Sequence, residues 1–164
     1  KRWEIILKKN KSIAKKLEIK FLMKNILDSL NLKDYYDLAI DSHCFHCLNG
    51  LSEQKRAIKN MVSILKPGGI LAIETMISHK NMSFSPPYYF DRSNSSLVKE
   101  DCWGTLVQFR TIPESLELEK MILKEDLKIE YFSILPNLRM IPESNRETVR
   151  EEDPQCLRII CRKT

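Results

Sequence analysis

The chain has 164 residues, of which 43% are hydrophobic and 30% are charged. That length suits one domain with its own core and is too short for two, and the interspersed charges argue against a disordered chain. The formal net charge is +5, and much of the excess comes from lysines between residues 8 and 16. No aromatic residues alternate with these lysines, so the segment indicates a solvated helix face more than a nucleic-acid surface. No apolar run approaches the roughly 20 residues of a membrane span.

The cysteine content indicates a reducing compartment. There are five cysteines, an odd number, and no export signal is visible at the charged N-terminal segment. Unpaired thiols are the rule inside cells, so we expect a cytoplasmic protein.

The first predicted elements are a helix and two strands. Apolar residues recur at three- and four-residue steps over residues 3–17, which predicts an amphipathic helix. Ile19–Met23 is short and apolar, as a strand is. Tyr36–Asp41 contains a continuous apolar run, which is typical of a strand covered on both faces in a parallel sheet. The polar residues Ser42 and His43 follow this strand.

A helix and a third strand come next. Ser52 is a predicted N-cap, and an apolar stripe continues from it to Lys66 in the last helical turn. The prolyl-glycyl-glycine sequence at residues 67–69 predicts the end of this helix. Ile70–Glu74 is then a nearly all-apolar strand.

Residues 77–110 are rich in Ser, Asn and Pro, so a long substrate-binding or lid loop is predicted. A capping box at residues 111–114 predicts a helix to about Asp126. Lys128–Leu135 and Leu157–Cys161 are the last strands, and without a helix between them they predict an antiparallel hairpin. The alternation of strands and helices indicates one open α/β domain over residues 1–164.

Two segments together carry a resemblance to a known family. Tyr36–Ser42 reads YDLAIDS, and after a helix the sequence LKPGG stands at residues 65–69. This pair resembles class I S-adenosylmethionine-dependent methyltransferases, and the downstream elements match the end of the family domain. The resemblance implies an open, mostly parallel Rossmann-like sheet with an antiparallel C-terminal strand.

The resemblance also implies a cofactor site for S-adenosylmethionine. Ligands of open α/β sheets bind beyond the carboxyl ends of the strands. By resemblance Asp41 and Ser42 border that crevice, and Asn25 and Ile26 stand where the family contacts adenine. Family members often have Asp at the position of Asn25, so the uncharged amide weakens this contact.

A departure from the family concerns the glycine-rich cofactor loop. The four glycines, at positions 50, 68, 69 and 104, do not form a G-x-G loop. The family's first strand, first helix and second strand have no counterpart in the sequence. We therefore expect a domain incomplete at its N-terminus, with about 50–70 further residues upstream, and impaired cofactor binding by these 164 residues.

The cluster of His43, Cys44, His46 and Cys47 has alternative interpretations. Its Cys and His residues are zinc ligands, but four ligands within five positions cannot easily surround one ion, so no metal is predicted. As crevice-lining residues, His43 or His46 would position the acceptor or take its proton. A plain helix start facing solvent is the structural alternative.

The leading functional hypothesis is methyl transfer to a small-molecule acceptor, without membrane or nucleic-acid partners and with a homo-oligomer left open. A non-enzymatic remnant or interaction module of the same fold is the second hypothesis. A zinc-binding module at residues 43–47 is the third.

Overall fold

A computed structural model describes residues 22–141 and 148–164. The helices in these ranges are α1 (Leu51–Ile64) and α2 (Ser115–Ile122). A single turn of 3-10 helix covers Phe45–Cys47. The strands are β1 (Tyr36–Ser42), β2 (Leu65–Ile77), β3 (Tyr88–Asp91), β4 (Ser96–Glu100), β5 (Leu106–Thr111), β6 (Leu127–Arg139) and β7 (Gln155–Lys163).

The larger sheet has the strand order β1-β2-β7-β6. β1 and β2 are parallel, with Leu38 opposite Ile70 and Ser42 opposite Glu74. Helix α1 connects them, as the crossover of a parallel pair requires. β7 runs antiparallel to both β2 and β6. The predicted α/β fold with an antiparallel C-terminal strand is confirmed, and the carboxyl ends of β1 and β2 meet at one edge.

The predictions for the first third of the chain have different outcomes. The helix predicted at residues 3–17 lies outside the described residues, as do residues 19–21 of the first predicted strand. Leu22 and Met23, the rest of that strand, are exposed and belong to no strand, so the prediction is wrong for them. The strand predicted at Tyr36–Asp41 is confirmed and extends to Ser42. The expectation that it is covered on both faces is wrong, because Leu38 and Ile40 are exposed on one face.

The boundaries of α1 differ from the prediction at both ends. Gly50, with φ 85°, occupies the N-cap position, and Ser52 lies inside the first turn. The helix ends at Ile64, before Lys66, because Leu65 already pairs with Tyr36 of β1. Lys66 is therefore a strand residue, and its ammonium group lies 2.8 Å from an Asp37 carboxylate oxygen.

Residues 77–110 contain more regular structure than predicted. β3, β4 and β5 form a second, antiparallel sheet. Leu97 of β4 is fully buried in a second core cluster with Met76, Met82 and Ile112. This apolar packing gives the Ser- and Asn-rich segment a core of its own, and the proposed lid or substrate role of the segment stays a prediction.

The C-terminal elements are close to the prediction. α2 begins after Glu114, not at Thr111, and ends at Ile122. The Thr111 hydroxyl instead accepts the backbone N–H of Gly50 at 2.6 Å. The antiparallel pair β6 and β7 is confirmed, and both strands are longer than predicted.

The main core lies on one face of the larger sheet. Both helices pack there, and inward side chains of β2 and β7, such as Leu71 and Ile159, are fully buried. Phe45, just after β1, is also fully buried in this cluster. Its burial anchors the turn that follows β1 and fixes the position of the neighbouring histidines.

Candidate active site

The turn after β1 holds His43 against the end of β2. The His43 backbone N–H donates to the Glu74 carbonyl at 3.0 Å, and its ring Nε2 lies 3.1 Å from Glu74 Oε1. His43 has a φ of 65°, a left-handed conformation that non-glycine residues adopt at a cost. The two contacts with Glu74 compensate that cost and fix the imidazole at the mouth of the sheet edge.

The Glu74 carboxylate connects β2 to the residue after β1 and to β7. Besides His43, it accepts Arg158 Nε at 2.8 Å and a second bond from Arg158 Nη2. The bonds from Arg158 are the main cause that lowers the pKa of Glu74 below its usual range. The carboxylate is therefore charged at neutral pH and orients the His43 ring.

His46 is buried and neutral. Its side chain sits in the 3-10 turn with the residue only 2% exposed. Its Nδ1 accepts the Met76 backbone N–H at 3.4 Å and lies 3.2 Å from Thr75 Oγ1. Burial, followed by the charge of Arg110 and by His43, lowers the pKa of His46 to about 3. An accepting Nδ1 places the single ring proton on Nε2.

Asp41 caps the same turn from the end of β1. Its Oδ2 accepts the Phe45 backbone N–H at 3.1 Å. Burial raises the pKa of Asp41, and the backbone N–H groups of Phe45 and Cys44 oppose that shift. The neighbouring Ser42 is exposed. The predicted pair Asp41 and Ser42 thus stands at the carboxyl end of β1, beside His43.

Asn25 and Ile26 lie apart from the turn that follows β1. Asn25 is exposed, and its Oδ1 accepts the Leu27 backbone N–H at 3.0 Å. The Ile26 carbonyl accepts from Asn60 in the second half of α1. Phe45, by contrast, contacts Gln54 in the first half of α1. The described contacts do not bring Asn25 and Ile26 against Asp41 and Ser42, and their role in adenine binding stays a prediction.

Two cavities meet at Glu74. The larger has a volume of about 560 Å³ and is lined by His43, His46, Cys47, Glu74, Met76, Arg110, Leu138, Arg139, Met140 and Ile141. The smaller has a volume of about 160 Å³ and is lined by Ile40, Asp41, Ser42, Ala72, Ile73, Glu74, Arg158 and Ile160. Both predicted histidines border the larger cavity, whereas Asp41 and Ser42 border the smaller one.

Several residues of these cavities were not predicted as site residues. Glu74 is the polar residue at the end of the predicted strand Ile70–Glu74, so the rule that selected Asp41 also applies to it. Arg110 and Arg139 lie in segments predicted to be loops or beyond the predicted strand, and no sequence motif marks them. Arg158 is one polar residue within an apolar strand.

Asp41 and Ser42 place hydrogen-bond acceptors beside the smaller cavity. A carboxylate and a hydroxyl, from Asp41 and Ser42, are acceptors for ammonium or hydroxyl groups such as those of S-adenosylmethionine. A complete small-molecule site encloses about 300–1,000 Å³, and this cavity is smaller. The role of Asp41 and Ser42 in holding the cofactor stays a prediction.

Two other site classes find no support in the described ranges. Within residues 22–141 and 148–164, no group of three or more His, Cys, Asp or Glu residues is arranged to hold a metal ion. In the same ranges, none of the helices combines the length and apolar character that a bilayer span demands.

Comparison with known proteins gives one family match and several similar folds. Residues 4–73 match the model of a family described as a methyltransferase domain. No curated protein sequence matches the chain. Similar solved structures include a Pyrococcus horikoshii OT3 protein, at 14% identity over 98% of this chain and 68% of that one, with a TM-score of 0.62.

Two further similar structures have methyltransferase names. One is a SAM-dependent methyltransferase of Methanosarcina mazei, with 16% identity over 88% of this chain and 66% of that one and a TM-score of 0.63. The other is the 1,6-didemethyltoxoflavin-N1-methyltransferase of Burkholderia thailandensis, solved with 1,6-didemethyltoxoflavin and S-adenosylhomocysteine, with 15% identity over 93% of this chain and 55% of that one and a TM-score of 0.57. The present chain thus spans between about half and two thirds of these proteins.

The fold is that of S-adenosylmethionine-dependent methyltransferases. The resemblance predicted from the YDLAIDS and LKPGG segments is confirmed by the family match over residues 4–73 and by the fold. This resemblance implies methyl transfer as the activity and S-adenosylmethionine as the cofactor.

Proposed function

We propose that this chain takes part in methyl transfer from S-adenosylmethionine to a small-molecule acceptor bound in the larger cavity. The observation that carries the proposal is the His43–Glu74 pair, in which a histidine beside a cavity is held by a charged carboxylate at the ends of two parallel strands. The solved Burkholderia enzyme with a small-molecule acceptor supports the same class of substrate.

His43 is proposed as the residue that takes the acceptor's proton. With Nε2 donating to Glu74 Oε1, the neutral ring keeps Nδ1 as an acceptor. A proton taken up at Nδ1 gives an imidazolium whose charge the Glu74 carboxylate stabilises. General base catalysis of this kind contributes about 10²–10⁴-fold to a rate.

His46 is proposed as a positioning donor. It stays neutral at pH 7 because the pKa of its imidazole is lowered to about 3, so its Nε2–H can donate to an acceptor oxygen or nitrogen. Methyl transfer depends mainly on in-line alignment of the reacting atoms, and two fixed imidazoles supply that alignment.

The cofactor is proposed to meet the chain at the smaller cavity, with Asp41 and Ser42 as contacts and Asn25 and Ile26 toward adenine. When bound, it supplies an electrophilic methyl group. Glu74 borders both cavities, so the acceptor and the methyl group would meet beside it. We further infer that these 164 residues bind the cofactor weakly, because their glycines form no G-x-G loop.

Calorimetry with S-adenosylhomocysteine tests the cofactor part of the proposal. We expect saturable binding to the 164-residue chain with a Kd near about 1 mM, weakened further in D41N. Binding tighter than about 1 µM would contradict the inferred impairment. No saturable binding would favour the alternative of a non-enzymatic interaction module with this fold.

Methyl transfer itself is measured with radiolabelled S-adenosylmethionine and a panel of small acceptors bearing O–H or N–H groups. H43A is expected to lower turnover by about 10²–10⁴-fold. H79A is the matched control, because His79 bonds to the Asp153 carbonyl outside the cavity lining. Equal turnover of H43A and H79A would remove His43 from the reaction.

A further inference from the structure

Two arginines border the larger cavity without a carboxylate beside them. Arg110 comes from β5, and Arg139 comes from the end of β6. Among the ion pairs of residues 22–141 and 148–164, neither arginine has an acidic partner. A partly buried guanidinium without a counter-charge is unfavourable, and a bound anion would relieve that cost.

Side chains other than carboxylates hold Arg110 in place. Its Nη1 lies 3.0 Å from Cys47 Sγ, and its Cζ lies 4.8 Å from the centre of the Phe109 ring. Its Nε is buried and has no acceptor within the described part of the chain. The side chain is therefore fixed in position while its charge stays uncompensated, which is the state in which a planar guanidinium binds a carboxylate or phosphate.

The one carboxylate in the cavity does not cancel this positive charge. Glu74 already accepts Arg158 and His43, so its own charge is balanced at the sheet edge. Arg139 uses Nη1 to bond the Pro136 carbonyl at 2.9 Å, a neutral partner. The positive charge of Arg110 also contributes to the lowered pKa of His46.

The remaining wall of the cavity is apolar. Met76 and Met140 are buried, and Leu138 and Ile141 complete this side. A volume of about 560 Å³ leaves room for a ring-sized body next to the arginines. The lining thus combines a cationic end with an apolar end.

We propose that the acceptor is a small anionic molecule whose carboxylate or phosphate is bound by Arg110 and Arg139 and whose apolar body packs on the methionine side. This inference rests on the proposed function, because it assigns the substrate class of the same cavity. It makes the two arginines specificity-determining residues of the site.

Binding of three matched aromatic probes tests the proposal without any cofactor. Benzoate and phenyl phosphate carry the two anionic groups, and benzamide is a neutral molecule of the same shape as benzoate. Titrations followed by NMR are expected to show at least one anion binding about tenfold or more tighter than benzamide. Which anion binds tighter distinguishes a carboxylate from a phosphate acceptor.

Variants locate the binding. R110M and R139M are each expected to weaken binding of the preferred anion by about tenfold, while benzamide binding stays unchanged. R110K keeps the charge and is expected to recover part of the loss. R56M is the matched control, because Arg56 is an exposed residue on α1 outside the cavity lining. Circular dichroism and thermal unfolding verify that every variant is folded.

Three results would overturn the proposal: equal binding of anions and benzamide, no saturable binding of any probe, or equal effects of R110M, R139M and R56M. If R110M does not fold, the binding measured with R139M and R110K decides the test. The proposed methyl transfer is tested by S-adenosylhomocysteine binding, and the anionic acceptor is tested by probe binding. A negative result in one measurement therefore does not imply a negative result in the other.

Discussion

The burial of His46 predicts a specific loss of stability on mild acidification. The folded imidazole has a pKa of about 3, against 6.5 for an unperturbed histidine. The unfolded chain therefore takes up this proton first. The stabilisation is fully present above pH 6.5 and is lost as the pH falls toward 3. Between pH 7 and pH 5 the loss is about 2 kcal/mol of unfolding free energy, at about 1.4 kcal/mol per pH unit.

The variant H46N isolates this contribution. Its side-chain oxygen can replace Nδ1 as the acceptor of the Met76 N–H, and it has no proton to gain in this range. Urea unfolding at pH 7, 6 and 5 is the assay. We expect H46N to lose about 2 kcal/mol less than the unsubstituted chain on going from pH 7 to pH 5.

The matched control is H79N, which removes a histidine that bonds a backbone carbonyl outside the cavity lining. Comparing H46N with H79N separates the effect of the buried His46 from the removal of a histidine elsewhere. The reasoning would be refuted if H46N and the unsubstituted chain lost the same unfolding free energy between pH 7 and pH 5.

Substitutions at Gln54, Gly69 and Lys66 test further contacts of the fold. Gln54 is fully buried and its Nε2 donates to the Phe45 and Thr111 carbonyls at 3.2 and 2.9 Å, so Q54L should cost about 2–4 kcal/mol in urea unfolding; a cost below about 1 kcal/mol would contradict the two bonds. A Cβ at Gly69 would lie 2.9 Å from the Lys66 carbonyl oxygen, whereas one at Gly68 meets no atom within 4 Å. G69A should therefore lower the unfolding temperature in calorimetry, and an unchanged temperature would argue against this close approach. G68A is not a neutral comparison, because Gly68 has a φ of 78°, which strains any residue with a Cβ. K66M removes an exposed ion pair with Asp37 and should change the unfolding free energy by less than about 1 kcal/mol, with D37N as a check from the other partner.

The parallel pair of strands was predictable because its signal is local and chemical. A continuous apolar run ending in Asp41, followed by a helix and a second apolar run, defines β1 and α1 with small errors at the ends. The second run locates β2, but the strand extends well beyond the predicted Ile70–Glu74 at both ends, from Leu65 to Ile77. The error at Lys66 arose because strand pairing between Leu65 and Tyr36 begins before the proline. That pairing depends on tertiary contacts, which helix-ending rules do not include.

The second sheet and half of the site were not predictable in the same way. Leu97 and its neighbours occupy a segment whose Ser and Asn content resembles a loop, and only the second core shows why it forms strands. The larger cavity brings Arg110 and Arg139 from distant segments beside His43. Sequence spacing carries no information on that convergence, whereas the histidines were found because they directly follow a predicted strand.

Glu74 lines both cavities. Its bonds tie the end of β2 to the residue after β1 and to β7. A change of charge there acts on both cavities at once, because each is bordered by the same side chain. Loss of that charge, as in E74Q, would therefore release His43 on one side and Arg158 on the other, and would alter both compartments in a single step.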